Sequence, residues 1–186
     1  MPRLLILGRQ GSGKGTQCVR LSEHYGVPHI STGDILREAV SAGTDFGLRA
    51  AKIMEAGDLV PDDVMLGIIR DRLAEPDARA GFLLDGFPRT SAQADGLAEL
   101  LGSLGRALDL AVNIDVDTEV VVERMLARGR ADDTEEAIRQ RLNLYEEQTA
   151  PLLERYRDEG ILVTVDGVGT EEEVFARLLA TVDAHT

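Results

Sequence analysis

The sequence predicts an α/β fold built on a five-stranded parallel sheet flanked by helices. Short apolar runs at 4–7, 27–30, 81–85, 108–116 and 161–165 read as buried strands. Stretches of helical periodicity separate each run from the next, and a helix between consecutive strands forces them to pair in parallel. The glycine-rich stretch GRQGSGKGT, Gly8 to Thr16, follows the first run directly, which is the strand, phosphate-binding loop, helix arrangement.

The first strand, Leu4 to Leu7, ends in four glycines within nine positions. They free the backbone to curl so that successive N–H groups point inward, and the helix predicted over Thr16 to Tyr25 adds its positive N-terminal end. Gly11, Ser12, Gly13, Gly15 and Thr16 form an anion cradle, and Lys14 supplies a mobile point charge suited to the outer phosphates of a nucleoside triphosphate. Lys14 is one of only two lysines among twenty basic residues. The loop departs from the general phosphate-loop pattern, which places Ser or Thr directly after the lysine: here Gly15 intervenes and the hydroxyl comes at Thr16.

Val27 to Ile30 is a brief second strand ending in Ser31-Thr32-Gly33-Asp34, N-cap chemistry for a helix that carries Ile35, Leu36, Ala39 and Val40 inward. Helices follow over Asp45 to Ala56 and Pro61 to Leu73, separated by Gly57-Asp58-Leu59-Val60, with glycine closing one helix and proline opening the next. The third strand, Gly81 to Asp85, terminates in an aspartate. A helix over Ser91 to Leu104, a strand over Leu108 to Val116 and a helix over Thr118 to Ala127 come next. Residues 128–133 lack apolar side chains apart from one alanine and read as an exposed loop. The long helix Thr134 to Arg157 contains Pro151, which kinks or splits it. A fifth strand, Ile161 to Val165, and a helix over Glu171 to Val182 close the chain.

At 186 residues and 44% hydrophobic content the chain can bury the core of one domain. A formal charge of −13 argues against coating nucleic acid or an anionic membrane, so an anionic ligand must meet locally concentrated arginine. The single cysteine, Cys18, excludes an intrachain disulfide and a cysteine-rich metal cluster, and its place in the first helix favours burial. No apolar run approaches the length of a membrane span or signal peptide, so the expectation is a cytoplasmic protein, and nothing points beyond a monomer.

A second motif, DGFPRT from Asp85 to Thr90, narrows the chemistry. An aspartate at the carboxyl end of an apolar strand beside a phosphate loop is placed to hold Mg²⁺ through water. Gly86 allows close backbone approach, Pro88 fixes the turn after Phe87, and Arg89 offers a fork suited to phosphate. Arg124 and Arg128 lie four apart on one helix face, Arg130 follows in the loop, and Arg139 and Arg141 sit two apart and so on different faces. His24, His29 and His185 lie outside these motifs and read as structural or surface residues.

GRQGSGKGT, STGDILR (Ser31 to Arg37), GDLVP (Gly57 to Pro61), DGFPRT and the arginine-rich segment, in this order, resemble the nucleoside monophosphate kinases, adenylate kinase above all. Proline is usual in that family where this chain has Gln10. The resemblance implies a P-loop NTPase fold with a small helical AMP-binding lobe at 31–60, a short lid at 128–133, and a core of 1–30, 61–127 and 134–186. It implies transfer of phosphate from MgATP to AMP. ATP would be bound by Gly11 to Thr16, Arg124, Arg128 and the Gly169 segment. AMP would be bound by Thr32, Arg37, Asp58, Leu59, Val60, Gly86, Phe87, Pro88, Arg89, Gln93, Arg130 and Arg141. Lys14, Arg89, Arg128, Arg130 and Arg141 would serve transfer, with Mg²⁺ held through Asp85. The short loop around Asp132 matches the branch without a zinc-binding lid, so no structural zinc is expected. Kinases of the UMP/CMP class tend to have Ala in place of Thr32 and Asn near Gln93, which leaves them as the near alternative and a non-catalytic nucleotide-binding protein as the distant one.

Overall fold

A computed structural model describes residues 1–186. Five strands, β1 (Arg3–Leu7), β2 (His29–Ser31), β3 (Phe82–Asp85), β4 (Leu110–Asp115) and β5 (Leu162–Asp166), form one sheet in the order β2-β3-β1-β4-β5, and every pairing is parallel. Central β1 thus separates β3 from β4, and the chain leaves its carboxyl end where the order of connection reverses. That crevice is where ligands gather in open α/β sheets.

The helices are α1 (Lys14–Tyr25), α2 (Thr32–Ser41), α3 (Asp45–Ala56), α4 (Asp62–Ala74), α5 (Ser91–Ser103), α6 (Thr118–Arg128), α7 (Glu135–Leu144), α8 (Pro151–Asp158) and α9 (Glu171–Asp183). They cover both sheet faces because β1, β3 and β4 are apolar on both sides: Leu4, Leu5, Phe82, Leu83, Leu84, Ala111 and Val112 are all fully buried. One core packs α4, α5 and α8 against Leu5, Leu84 and Ala111, and the other packs α1, α6 and α9 against Leu4, Leu83 and Val112.

The cap predicted at Ser31 forms, and four threonines not singled out from the sequence cap further helices. The Ser31, Thr44, Thr90, Thr134 and Thr170 hydroxyls each accept from the backbone N–H three residues on, and Thr170 with Glu173 completes a capping box. The long helix predicted over Thr134 to Arg157 is split into α7 and α8, the latter opening on Pro151, and residues Tyr145–Thr149 between its halves form a π-helical turn that the sequence did not signal. α2 and α3 are joined by an unusually close contact. A Cβ on Gly47 would lie 1.9 Å from the carbonyl oxygen of Ala39, so only glycine lets the two helices approach this far.

Candidate active site

The loop between β1 and α1 turns through Gly11 at φ 82° and Gly13 at φ 91°, both in the left-handed region that glycine enters without strain. No side chain caps α1, and Gln17 is the first residue of that helix whose N–H reaches a backbone acceptor, the carbonyl of Gly13. The Ser12 N–H is taken by the Arg9 carbonyl at 3.1 Å, whereas the N–H groups of Gly13 to Thr16 make no backbone hydrogen bond and are free to hold an anion at the positive helix end. The buried Ser12 hydroxyl within the same loop lacks a hydrogen-bond partner in the protein. Lys14 folds back over the loop, its Nζ donating to the carbonyls of Gly8 and Arg9 at 2.9 Å each. Burial draws its pKa down to about 8, against the opposing pull of Asp85.

Asp85 closes β3 beside this loop and is 8% exposed. Burial alone would push its carboxyl up, but the hydrogen bond to His29 and the charges of Lys14 and Arg89 outweigh it and hold the pKa below the ordinary value. His29 Nε2 lies 3.1 Å from Asp85 Oδ2. This corrects the reading of His29 as a residue away from the motifs. The register explains it: Ser31 of β2 faces Asp85, and His29, two residues earlier, projects to the same side.

Arg89 is fixed at three points. Its Nε donates to Gly86 O at 2.8 Å, its N–H donates to Gln93 Oε1 at 2.8 Å, and its carbonyl accepts from Thr149 Oγ1 at 2.7 Å. Thr32 donates to the same Gly86 carbonyl at 2.9 Å. Gln93 is buried, its Nε2 donating to Asp62 Oδ1 at 2.9 Å, which leaves one N–H and one lone pair of the carboxamide for a base.

The arginines after β4 converge as well. Arg124 donates to Ser12 O and Gly167 O, tying the phosphate loop to the turn after β5. Arg128 grips Asp133 through Nε and Nη2 at 2.6 and 2.9 Å. Arg141, 8% exposed, pairs with Asp132 and Asp133 and donates to Met54 O in α3. Arg139, on the other face, is exposed and bonds only Glu135. Burial, with Arg128 and Arg37 nearby, lowers the pKa of Arg130. Arg37 pairs with Asp34 at the rim.

Two clefts meet at these residues. Gly11 to Thr16, Asp85, Arg124 and Gly169 line the one at the phosphate loop. Thr32, Asp58, Leu59, Val60, Phe87, Pro88, Gln93 and Arg141 line the other, beneath α2 and α3. Lys14, Arg37, Gly86, Arg89, Arg128 and Arg130 border both, together with Gln10 and Gly33. Sequence reasoning missed Tyr145 and Thr149, which enter the second cleft from the π-helical turn. A threonine after a run of helical spacing carries no mark of that turn.

A parallel sheet with a phosphate loop at its reversal point, facing a second cleft across shared cations, defines the class of P-loop phosphotransferases that bring two phosphorylated ligands together. The family model for adenylate kinase matches residues 6–161. A relative from Stenotrophomonas maltophilia strain K279a, itself named adenylate kinase, is 51% identical over 98% of this chain and 100% of its own. Those of Mycobacteroides abscessus and Nocardia farcinica, with the same name, are 53% and 54% identical over 94% and 95% of this chain, covering 96% and 97% of their own lengths. The chain belongs to the adenylate kinase family and is an enzyme of the nucleoside monophosphate kinase type.

Proposed function

We propose that the reaction is MgATP + AMP ⇌ 2 ADP, with ATP at the phosphate loop and AMP in the cleft beneath α2 and α3. The observation that carries this reading is the set of cations bordering both clefts, Lys14, Arg37, Arg89, Arg128 and Arg130. Cations placed there would meet the phosphates of two nucleotides at once, which suits a transfer and serves no purpose in a simple switch. An oxygen of the AMP phosphate attacks the γ-phosphorus while the bond to the β,γ-bridging oxygen breaks. The acceptor is already anionic, so the step needs no general base. Lys14 and Arg128 act on the ATP side, Arg89 and Arg37 hold the AMP phosphate, and Arg130 and Arg141 stabilise the group in flight. Arg124 covers the ATP base near Gly169, and Thr32, Gln93 and the Asp58-Leu59-Val60 backbone border the AMP adenosine.

The ionised Asp85 carboxylate and the Thr16 hydroxyl, both lining the phosphate-loop cleft, are hard oxygen donors of the kind Mg²⁺ takes. Bound with ATP, the ion would neutralise charge on the β- and γ-phosphates. Residues 31–60 are the AMP lobe and 128–133 the lid of a cytoplasmic monomer, the two segments closing to exclude water. No helix is long and apolar enough to cross a membrane.

The test is ADP formation from MgATP with AMP, UMP, CMP and GMP offered separately at equal concentration. Strong turnover with AMP alone is expected. Preference for UMP or CMP would overturn the roles of Thr32 and Gln93, and inactivity with all four would overturn the transfer itself.

A further inference from the structure

Directly behind the phosphate loop, three elements bring together the side chains that zinc prefers. Cys18 of α1, His29 of β2 and Asp85 of β3 place one ligand atom each within 4.8 Å of one another. Cys18 is fully buried, and the His29 and Asp85 side chains are 14% and 10% exposed. We propose that Cys18, His29 and Asp85 form an inhibitory site for a thiophilic divalent cation, Zn²⁺.

A thiolate, an imidazole nitrogen and a carboxylate oxygen supply three positions of a tetrahedral zinc site and leave the fourth to water or a phosphate oxygen. The 3.1 Å between His29 Nε2 and Asp85 Oδ2 is close to the roughly 3.3 Å that nitrogen and oxygen ligands about 2.0 Å from a tetrahedral ion would subtend. Only Cys18 Sγ and its partners need draw together, by ångström-scale movement. A thiol and an imidazole discriminate against Mg²⁺, which demands oxygen donors, so the site selects a softer ion from a magnesium-rich solution. Entry lies through the phosphate-loop cleft that Asp85 lines. Gly15 has no side chain over the carboxylate, and even an added Cβ would remain 3.9 Å from Oδ2.

Binding releases the Cys18 thiol proton to solvent as the Zn–S bond forms, and replaces the His29–Asp85 hydrogen bond by two bonds to the metal, the imidazole then carrying its proton on Nδ1 so that Nε2 offers its lone pair. Zinc then occupies the carboxylate assigned above to the magnesium waters and adds positive charge beside Lys14. Inhibition therefore rests on that reading of Asp85; metal binding does not.

The experiment titrates the full chain with Co²⁺ as a spectroscopic probe, then displaces it with Zn²⁺, in wild type, C18A and H29N. A thiolate-to-cobalt charge-transfer band at one ion per chain is expected in wild type. It should be absent in C18A, and zinc affinity should fall by more than about tenfold in both variants. Absence of the band in wild type, or equal zinc affinity in wild type and C18A, would overturn the site. With free Zn²⁺ held by a metal buffer and Mg²⁺ in excess, wild-type turnover should fall and recover on chelation. C18A should resist zinc while matching wild type without it. A cobalt band in wild type with equal inhibition of wild type and C18A would overturn the inhibitory role of this site, and a band with no inhibition of wild type would overturn it by placing the fault in the magnesium assignment of Asp85.

Discussion

Replacing Asp133 by asparagine removes one charge from a carboxylate that organises three arginines. Its side chain is fully buried, bonded by Arg128 at 2.6 and 2.9 Å, by Arg141 at 2.9 Å and by the Arg130 N–H at 3.2 Å. Losing one partner of a fully buried ion pair costs about 3–5 kcal/mol. Here Arg141 keeps Asp132 and Met54 O, and Arg128 is 29% exposed, so the cost falls to about 2–3 kcal/mol. At roughly 2–4 °C per kcal/mol for a domain of this size, Tm should drop by about 4–12 °C in calorimetry at neutral pH. Saturating ATP should narrow the gap, because its phosphates give the arginines an anion again. Acid should narrow it too. Burial would raise the Asp133 carboxyl, but Arg128 outweighs it and holds the pKa below the ordinary value. A depressed carboxylate contributes stability at neutral pH that disappears as pH falls through the folded pKa. A Tm change under about 2 °C, or one that persists undiminished in acid, would refute this account of the Asp133 cluster.

Three further outcomes follow from the geometry. Lys14→Met should lower turnover by about 10³-fold or more and leave the fold intact, as judged by circular dichroism, since Lys14 bonds only the Gly8 and Arg9 carbonyls; near-normal turnover would sink its assignment. Arg89→Ala should raise KM for AMP by about 100-fold and change ATP affinity by less than about tenfold, measured by steady-state kinetics and calorimetric titration; equal losses would count against the division of the clefts. Above pH 8, wild-type affinity for ATP should fall by up to about tenfold per unit as the free enzyme's Lys14 loses its proton, and K14M should lack this slope. In the folded protein alone the sign is opposite: a lysine pKa lowered from 10.5 to about 8 means the unfolded chain binds more protons between those values, so this residue's contribution to stability rises with pH there.

The elements whose signals are local were legible to within a residue or two. Asp45–Ala56 begins after a threonine cap and ends on Gly57, and both ends lie where the residues put them. The first helix starts at Lys14, two residues before the periodicity shows, because the loop glycines and Lys14 carry no hydrophobic phase. The second strand is His29–Ser31, shifted forward from 27–30, since Pro28 has no N–H to give the ladder. What escaped were contacts between distant segments. Nothing near His29 announces Asp85, 56 residues away, until β2 is known to lie beside β3. Likewise the resemblance marks Gln93 for the AMP base, but nothing in the sequence places Asp62 and the Arg89 N–H against its carboxamide.

The contact between Gly47 and Ala39 has a mechanical consequence. Two helices whose backbones touch across a missing side chain cannot slide or tilt against each other, so α2 and α3 travel as a single block. Any swing of that block is taken up at its ends, around Ser31 and along Asp58 to Pro61. Its free corner is clasped to α7 by Arg141 on Met54 O and by Gln140 on Asp58. The same arginine is therefore the latch of a lever, and in the reaction proposed above whatever draws its guanidinium toward a nucleotide would also decide when the lever is released.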